Sequence, residues 1–465
     1  MKEEWRFPPE AWIPLVAGLC WLWLAPLHGL VAFLLAVVPG CLMLAAGVAM
    51  LLWPGDRPIS HFAALGGLAG VLLAVPAGFA VGALPAALLA LLSAAGFLAG
   101  GHHSSRFEVP VEGVPPVRHG LALAAQVGVD EALLATMLLT APLPGRGEYP
   151  RIDAEAAAAR ELFEARGWLE KPAEYHRRPP PLEDPRIRAT RLGRIGYEHL
   201  SFASGYEPHP GEPGRERWLS YEANRTAHAW VLRHEGPPRP WLVCIHGYQM
   251  GNPWIDLGAF PPPWLHRRLG LNLIVPMLPL HGRRKVGRRS GDGFLSGDLL
   301  DTIHAETNAV WDLRRLVGWV RSQQAPAVGV MGYSLGGYNT ALLASLEDDL
   351  DCAIAGIPAT DFARLYFRHG PLLTLRDAQR RGMASCMKEI FRVISPLKIP
   401  PRLPRERRYI FAATADRLVP AKQARDLWQH WEKPAIEWYQ GGHISFRAHP
   451  SVVRFISKAL RDSLL

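Results

Sequence analysis

"VGVMGYSLGGYNTALLASL", residues 328–346, sets Ser334 among Gly332, Gly336 and Gly337, after a short apolar run and ahead of a helix-forming tail. Read as strand, sharp corner and helix, the stretch gives its glycines a purpose, because a missing Cβ lets strand and helix meet closely. A serine at such a corner is strained and lifts its hydroxyl above the sheet. There, at a helix N-terminus, partial positive charge favours a developing anion. An ordinary turn is the plainer alternative. The pattern G-x-S-x-G is common by chance, but much rarer between a buried strand and a helix.

The surrounding sequence supplies that setting. After Tyr197, short apolar runs alternate with helical stretches: "WLVCIHG", "LNLIVPML", "AVGVMG", "CAIAGI", "RYIFAAT" and "AIEWYQ" read as strands. "RWLSYEA" and "HAWVLRH" read as a hairpin ahead of them. Between the strands, Asp301 to Ser322 carries Val310, Leu313, Val317 and Val320 along one helical face. Buried strands separated by helices imply a mostly parallel sheet covered on both faces, with ligands beyond the carboxyl ends of the strands.

Serine at its own pKa is a poor nucleophile and needs a histidine oriented by a carboxylate. Asp416 in "ADRLVP" and His443 in "GGHISF" each stand just past an expected strand. Separately, the first is also a helix-cap candidate and the second a turn histidine. Together with Ser334 they stand in the order Ser–Asp–His.

The ordered set "CIHGYQMG", "GYSLGG", "ATADRLVP" and "GGHISF" resembles the α/β-hydrolase superfamily over residues 215–465. The resemblance implies Ser334 as nucleophile, His443 as general base and acid, and Asp416 as the orienting acid. It also implies an oxyanion hole from the backbone N–H groups of Tyr248 and Leu335, donors worth about 3–4 kcal/mol each. Asp361, in "GIPATDF", is the alternative acid. The expected fold is an α/β-hydrolase domain over 197–465 with a helical cap insertion at 362–408. "FARLYF" and "PLLTL" within that cap suit an acyl channel or core packing. "LPLHGRRKVGRR", 278–289, offers His281, Arg283 and Arg284 as a substrate rim for an anionic group, or a solvated basic loop.

Ahead of this domain, residues 106–196 read as a connector. It holds an apolar helix over 119–140, a helix over 154–170 and the proline-rich "HRRPPPLEDPRI". Residues 1–105 read differently. No Asp, Glu, Lys or Arg occurs from Ala11 to Gly55 or from Pro58 to Ser105. One membrane crossing takes about 20 apolar residues, so each run suits a hairpin of two. Four transmembrane helices near 12–27, 30–53, 62–81 and 84–100 are expected, turned at Pro26–Gly29 and Gly82–Pro85. Lys2, Arg6, Arg57 and Arg106 then share one side, which puts the catalytic domain in the cytoplasm. An odd number of spans reverses that.

The net charge of +9 fits an anionic membrane surface. No zinc-finger spacing or RNA-binding signature points to nucleic acid. "GYSLGG" has no lysine and is not a phosphate-binding loop. Cys20, Cys41, Cys244, Cys352 and Cys386 show no paired spacing and read as buried thiols. The expected activity is that of a membrane-anchored serine hydrolase, a lipase-like carboxylic ester hydrolase, acting on a small-molecule or lipid acyl substrate without metal or cofactor. Peptidase and acyltransferase chemistry on the same residues, or an inactive binding scaffold, are the alternatives. The oligomeric state is not legible.

Overall fold

The computed structural model of the chain describes residues 8–53, 55, 58–140, 142–145, 147–370 and 382–465. Two compact units emerge. The first comprises Met1–Thr140, Ala413–Lys422 and Trp438–Pro450; the second comprises Ala141–Ala412, Gln423–Glu437 and Ser451–Leu465.

Helices α1 (Trp12–Leu24), α2 (Leu30–Leu52), α3 (His61–Val81), α4 (Ala83–Ser105) and α5 (Leu121–Thr140) build the first unit. They pack through small residues. A Cβ added to Gly18 would lie 2.6 Å from the Leu44 nitrogen, and one on Gly67 2.5 Å from that of Phe97. Such close backbone approach is how helices associate where no water drives them together. Trp21 is buried and donates its indole N–H to Ser93 Oγ at 2.8 Å. Large apolar side chains point outward instead, including Trp23, Leu72, Val75, Leu84 and Leu91, with Phe79 94% exposed.

Among the described residues, four helices are long and apolar enough to cross a membrane: Leu30–Leu52, Pro58–Val81, Ala83–Ser105 and Leu121–Thr140. This set differs from the expected one. The first expected span shrinks to the 13 residues of α1, because the chain turns into a tighter 3-10 segment at Ala25–His28. α5, expected within the connector as an apolar helix, falls in the helical unit. Lys2, Arg6 and Arg57, on which the expected orientation rests, lie outside the described residues.

The second unit opens with α6 (Tyr149–Ala165). α6 is no free linker. Its Glu155 accepts both Nη groups of Arg217 at 2.7 and 2.9 Å, while Arg151 reaches Asp298 at 2.8 Å. Strands β1 (Arg186–Leu192) and β2 (Ile195–Ala203) start the sheet ahead of the expected boundary at 197. "RWLSYEA" does not form a strand. Its first four residues close α7 (Arg215–Ser220), and β3 (Thr226–Leu232) pairs antiparallel with β2 instead.

Then follow β4 (Trp241–Ile245), α8 (Pro253–Ala259), β5 (Asn272–Met277), α9 (Leu299–Ser322), β6 (Val328–Tyr333), α10 (Leu335–Leu346), β7 (Cys352–Gly356), α11 (Phe362–His369), β8 (Arg408–Ala413) and β9 (Ala435–Tyr439). Among the described residues, nine strands run in the order β1-β2-β3-β5-β4-β6-β7-β8-β9. β5, β4, β6, β7 and β8 are parallel, and β1 to β3 are antiparallel. From β4 the chain goes to β5 on one side and later to β6 on the other. That reversal opens a crevice at the carboxyl ends of β4 and β6, the usual ligand position in such sheets.

In the expected cap, Phe362 stacks on Tyr338 with ring centroids 3.9 Å apart, so the head of "FARLYF" is core. "PLLTL" lies outside the described residues. The contact between β6 and α10 leaves no room for a side chain at Gly332, where a Cβ would fall 2.1 Å from the Gly336 carbonyl oxygen. Gly332→Ala is therefore expected to destabilise the purified protein by about 1–3 kcal/mol, the range for overpacking. Thermal unfolding of the two proteins side by side checks this.

Candidate active site

The corner at Ser334 has the strain expected of it. Its backbone sits at φ 58°, ψ −113°, and its side chain does not cap the helix that follows. Such a backbone costs about 1–3 kcal/mol in a non-glycine residue and persists only when its surroundings impose it. Here they do. The Ser334 N–H donates to the Gly356 carbonyl at 3.0 Å, and its own carbonyl accepts from Tyr338 at 3.0 Å and Ala359 at 3.2 Å. A Cβ on Gly336 would lie 1.9 Å from the Ile245 carbonyl oxygen, so α10 starts hard against β4. From Val328 to Leu346 every residue is buried except Ser334.

Leu335 is the first residue of α10, where its N–H has no intrahelical acceptor. Tyr248 follows β4. The stretch before it runs beside the corner, since a Cβ on Gly247 would lie 3.7 Å from Ser334 Cβ. The Tyr248 ring meets His281 edge to face, with centroids 5.9 Å apart.

Two of the expected rim residues are not on a rim. His281 is fully buried behind Tyr248, with Nδ1 2.8 Å from the Pro279 carbonyl. Burial, reinforced by His246, pushes its pKa down to about 3, so the ring is neutral. Arg284 is fully buried too and pairs with Asp312 at 2.9 Å, also donating to the carbonyls of Met277 and Asn224. Its charge is neutralised inside the protein. Arg283 alone of the three stays exposed, lining a cavity of about 740 Å³ with Arg188, Lys285, His199, Trp230 and Gln249. No carboxylate lines that cavity among the described residues. Alternation along the basic loop decides this, since residue 284 turns in where 283 and 285 turn out.

Asp361 caps α11. One of its oxygens accepts the Arg364 N–H at 2.9 Å, and its carboxylate pairs with the Arg364 guanidinium at 3.4 Å.

Asp416 and His443, both in the first unit, meet directly. Asp416 Oδ2 lies 2.6 Å from His443 Nδ1, and Asp416 Oδ1 accepts the Val419 N–H at 2.7 Å. A carboxylate only accepts, so the neutral imidazole carries its proton on Nδ1 and leaves Nε2 as a base. Burial opposes protonation of His443. The charge and hydrogen bond of Asp416, with the further charge of Asp130, outweigh it, and the pKa is raised above the ordinary histidine value.

Residues that the sequence analysis passed over complete this part of the site. Asp130 and Glu131, adjacent on α5, are both fully buried. Asp130 Oδ2 accepts the backbone N–H of His443 at 2.7 Å and that of Arg417 at 3.2 Å. Glu131 pairs with Arg417 Nε at 2.7 Å and with His61 Nδ1. Arg417 also reaches Glu108 at 2.7 Å. The signal was visible as "DE" in the middle of an apolar helix, where ionisable groups are costly without a task.

No family model matches the chain. It is 45% identical over 352 residues to the uncharacterized protein MT2702 of Mycobacterium tuberculosis (strain CDC 1551 / Oshkosh), covering 75% of this chain and 84% of that protein. Over the same length and coverage it is 44% identical to the uncharacterized protein Rv2627c of Mycobacterium tuberculosis (strain ATCC 25618 / H37Rv). Among solved structures it is similar to acetyl xylan esterase 1 from Thermoanaerobacterium sp. JW/SL YS485, with 17% identity and a TM-score of 0.43 over 63% of this chain and 98% of that one. The acetyl xylan esterase from Paenibacillus sp. R4 gives 16% identity and a TM-score of 0.44 over 63% and 99%. By its identity to the two mycobacterial proteins the chain belongs to their family, and its own sheet order and serine corner are those of an α/β-hydrolase fold.

Proposed function

We propose that the protein is a membrane-anchored serine hydrolase that cleaves an ester, thioester or related acyl bond through an acyl-enzyme. The observation that carries this reading is the strained Ser334 at the β6–α10 corner, half-buried where its neighbours from Val328 to Leu346 are all buried. In the proposed reaction His443 Nε2 takes the Ser334 hydroxyl proton as Oγ bonds to the acyl carbon. The Leu335 and Tyr248 N–H groups stabilise the oxyanion. The proton then passes from His443 to the leaving group as its bond to the acyl carbon breaks. Water, deprotonated by the same histidine, releases the acid and restores Ser334. Asp416 holds the imidazole in the tautomer that this requires.

Membrane residence is supported by the first unit's reversed polarity: small residues between helices and large apolar ones outside. In water such a surface is a severe liability; in lipid it is the expected arrangement. The basic cavity around Arg283 and Arg188, lined also by Gln249 to Asn252 directly after Tyr248, favours a substrate with an anionic headgroup, such as an acyl ester of a phospholipid.

A fluorophosphonate probe added to carbonate-washed membranes should label the wild type and fail on Ser334→Ala and His443→Ala. Absence of wild-type labelling supports the inactive scaffold, and loss of the protein in the wash removes the anchor. Because the His443 pKa is raised and its neutral form is the base, kcat/KM should fall as pH drops through a value above about 6.5. Asp416→Asn should move that acid limb to lower pH and reduce kcat by about 10⁴-fold. Arg283→Glu should raise KM for an anionic ester by about tenfold more than KM for a neutral one, the scale of one charge-assisted contact.

A further inference from the structure

We infer that Asp130 is a positioning residue for His443: from helix α5 its carboxylate ties the histidine loop to the acid loop and so sets the His443–Asp416 hydrogen bond. The inference rests on the reading of His443 as the catalytic base.

One oxygen does this work. Asp130 Oδ2 accepts the N–H of His443 itself and the N–H of Arg417, the residue directly after Asp416. The backbones that carry the base and its orienting acid are thus pinned to a single atom on a third element. A carboxylate at 0% exposure in an apolar helix is costly and needs a compensating partner. Asp130 Oδ1 finds no hydrogen-bond partner among the described residues, so the compensation comes through the two loop N–H groups.

Neighbouring residues hold the same joint. Glu131 and Glu108 clamp the Arg417 guanidinium at 2.7 Å each, and His61 from α3 holds Glu131 in turn. Gln440 is bound between the Arg118 N–H at 2.8 Å and the Pro116 carbonyl at 3.0 Å. Leu123 and Val127 of α5 pack on Ala415. Gly442 matters most. A Cβ there would stand 2.7 Å from Asp130 Oδ2, although its own backbone is extended at φ −94° and tolerates alanine. A glycine directly before His443 therefore serves the approach of this carboxylate rather than a turn.

The test uses full-length, detergent-extracted protein, p-nitrophenyl butyrate for kcat and KM, and the rate of fluorophosphonate labelling. Asp130→Ala should lower kcat and the labelling rate about a hundredfold, the scale of a misplaced catalytic group, with KM changed by less than about threefold. Asp130→Asn keeps an acceptor oxygen and should recover to within about tenfold of wild type. Gly442→Ala keeps both residues and should show the same kcat-selective loss, which covers the case in which Asp130→Ala does not fold. Wild-type rates in Asp130→Ala overturn the inference, as does an asparagine variant no better than alanine. Wild-type rates in Gly442→Ala overturn it where Asp130→Ala does not fold. If the wild type itself is not labelled, the hydrolase reading falls and takes this inference with it. Wild-type labelling lost in Ser334→Ala, beside an unaffected Asp130→Ala, sinks the inference alone.

Discussion

The second unit depends on how closely the backbone of α10 approaches β4. The Gly336 position comes within 1.9 Å, measured from an ideal Cβ, of the Ile245 carbonyl oxygen, and the Gly332 position within 2.1 Å of Gly336. No residue but glycine fits at either place. The chain leaving β6 must therefore reverse within one residue, and that residue, Ser334, is forced to a positive φ. Hydrogen bonds to Gly356 and Ala359 lock the corner from the β7 side. Strain and partial exposure at Ser334 follow from this packing, so a catalytic reading needs no special feature of the serine itself.

A different logic governs the first unit. Its helices touch through Gly18, Gly40, Gly67 and Gly70, and Trp21 and Ser93 satisfy each other inside the bundle. Against this background α5 stands out, since it brings two carboxylates into the interior. Both are answered by charged or polar groups from other segments: Asp130 by the N–H groups of residues 417 and 443, Glu131 by Arg417 and His61. Breaking a buried pair of this kind typically costs several kcal/mol, because the remaining charge is left without a partner. The loops after β8 and β9 are thus part of the helical unit's own polar core.

Much of this was legible beforehand, and the reasons differ by element. β4 to β9 were readable because each is a short apolar run bounded by turn residues, and α9 because Val310, Leu313, Val317 and Val320 mark one helical face. "RWLSYEA" misled because its alternation of apolar and polar residues suits a strand. Trp218 is nevertheless buried from a helix, and Arg217 is drawn to Glu155, Asp298 and Asp301. Arg284 and His281 misled for a related reason. Composition shows that a loop is basic, but not which of its side chains turn inward to meet Asp312 or Tyr248.

The sequence alone determined the local pieces: a strand–corner–helix around Ser334, two long uncharged runs over 11–55 and 58–105, and an acid and a histidine each placed past a strand. These are set by short-range periodicity, by glycine's freedom from side-chain clashes and by the absence of charge over long stretches. The tertiary structure decided which distant groups meet. That Asp416 lies on His443, and that Asp130 from a helix some three hundred residues earlier holds both loops, comes from burial. A carboxylate taken out of water has to find donors, and chain order does not say where those donors are.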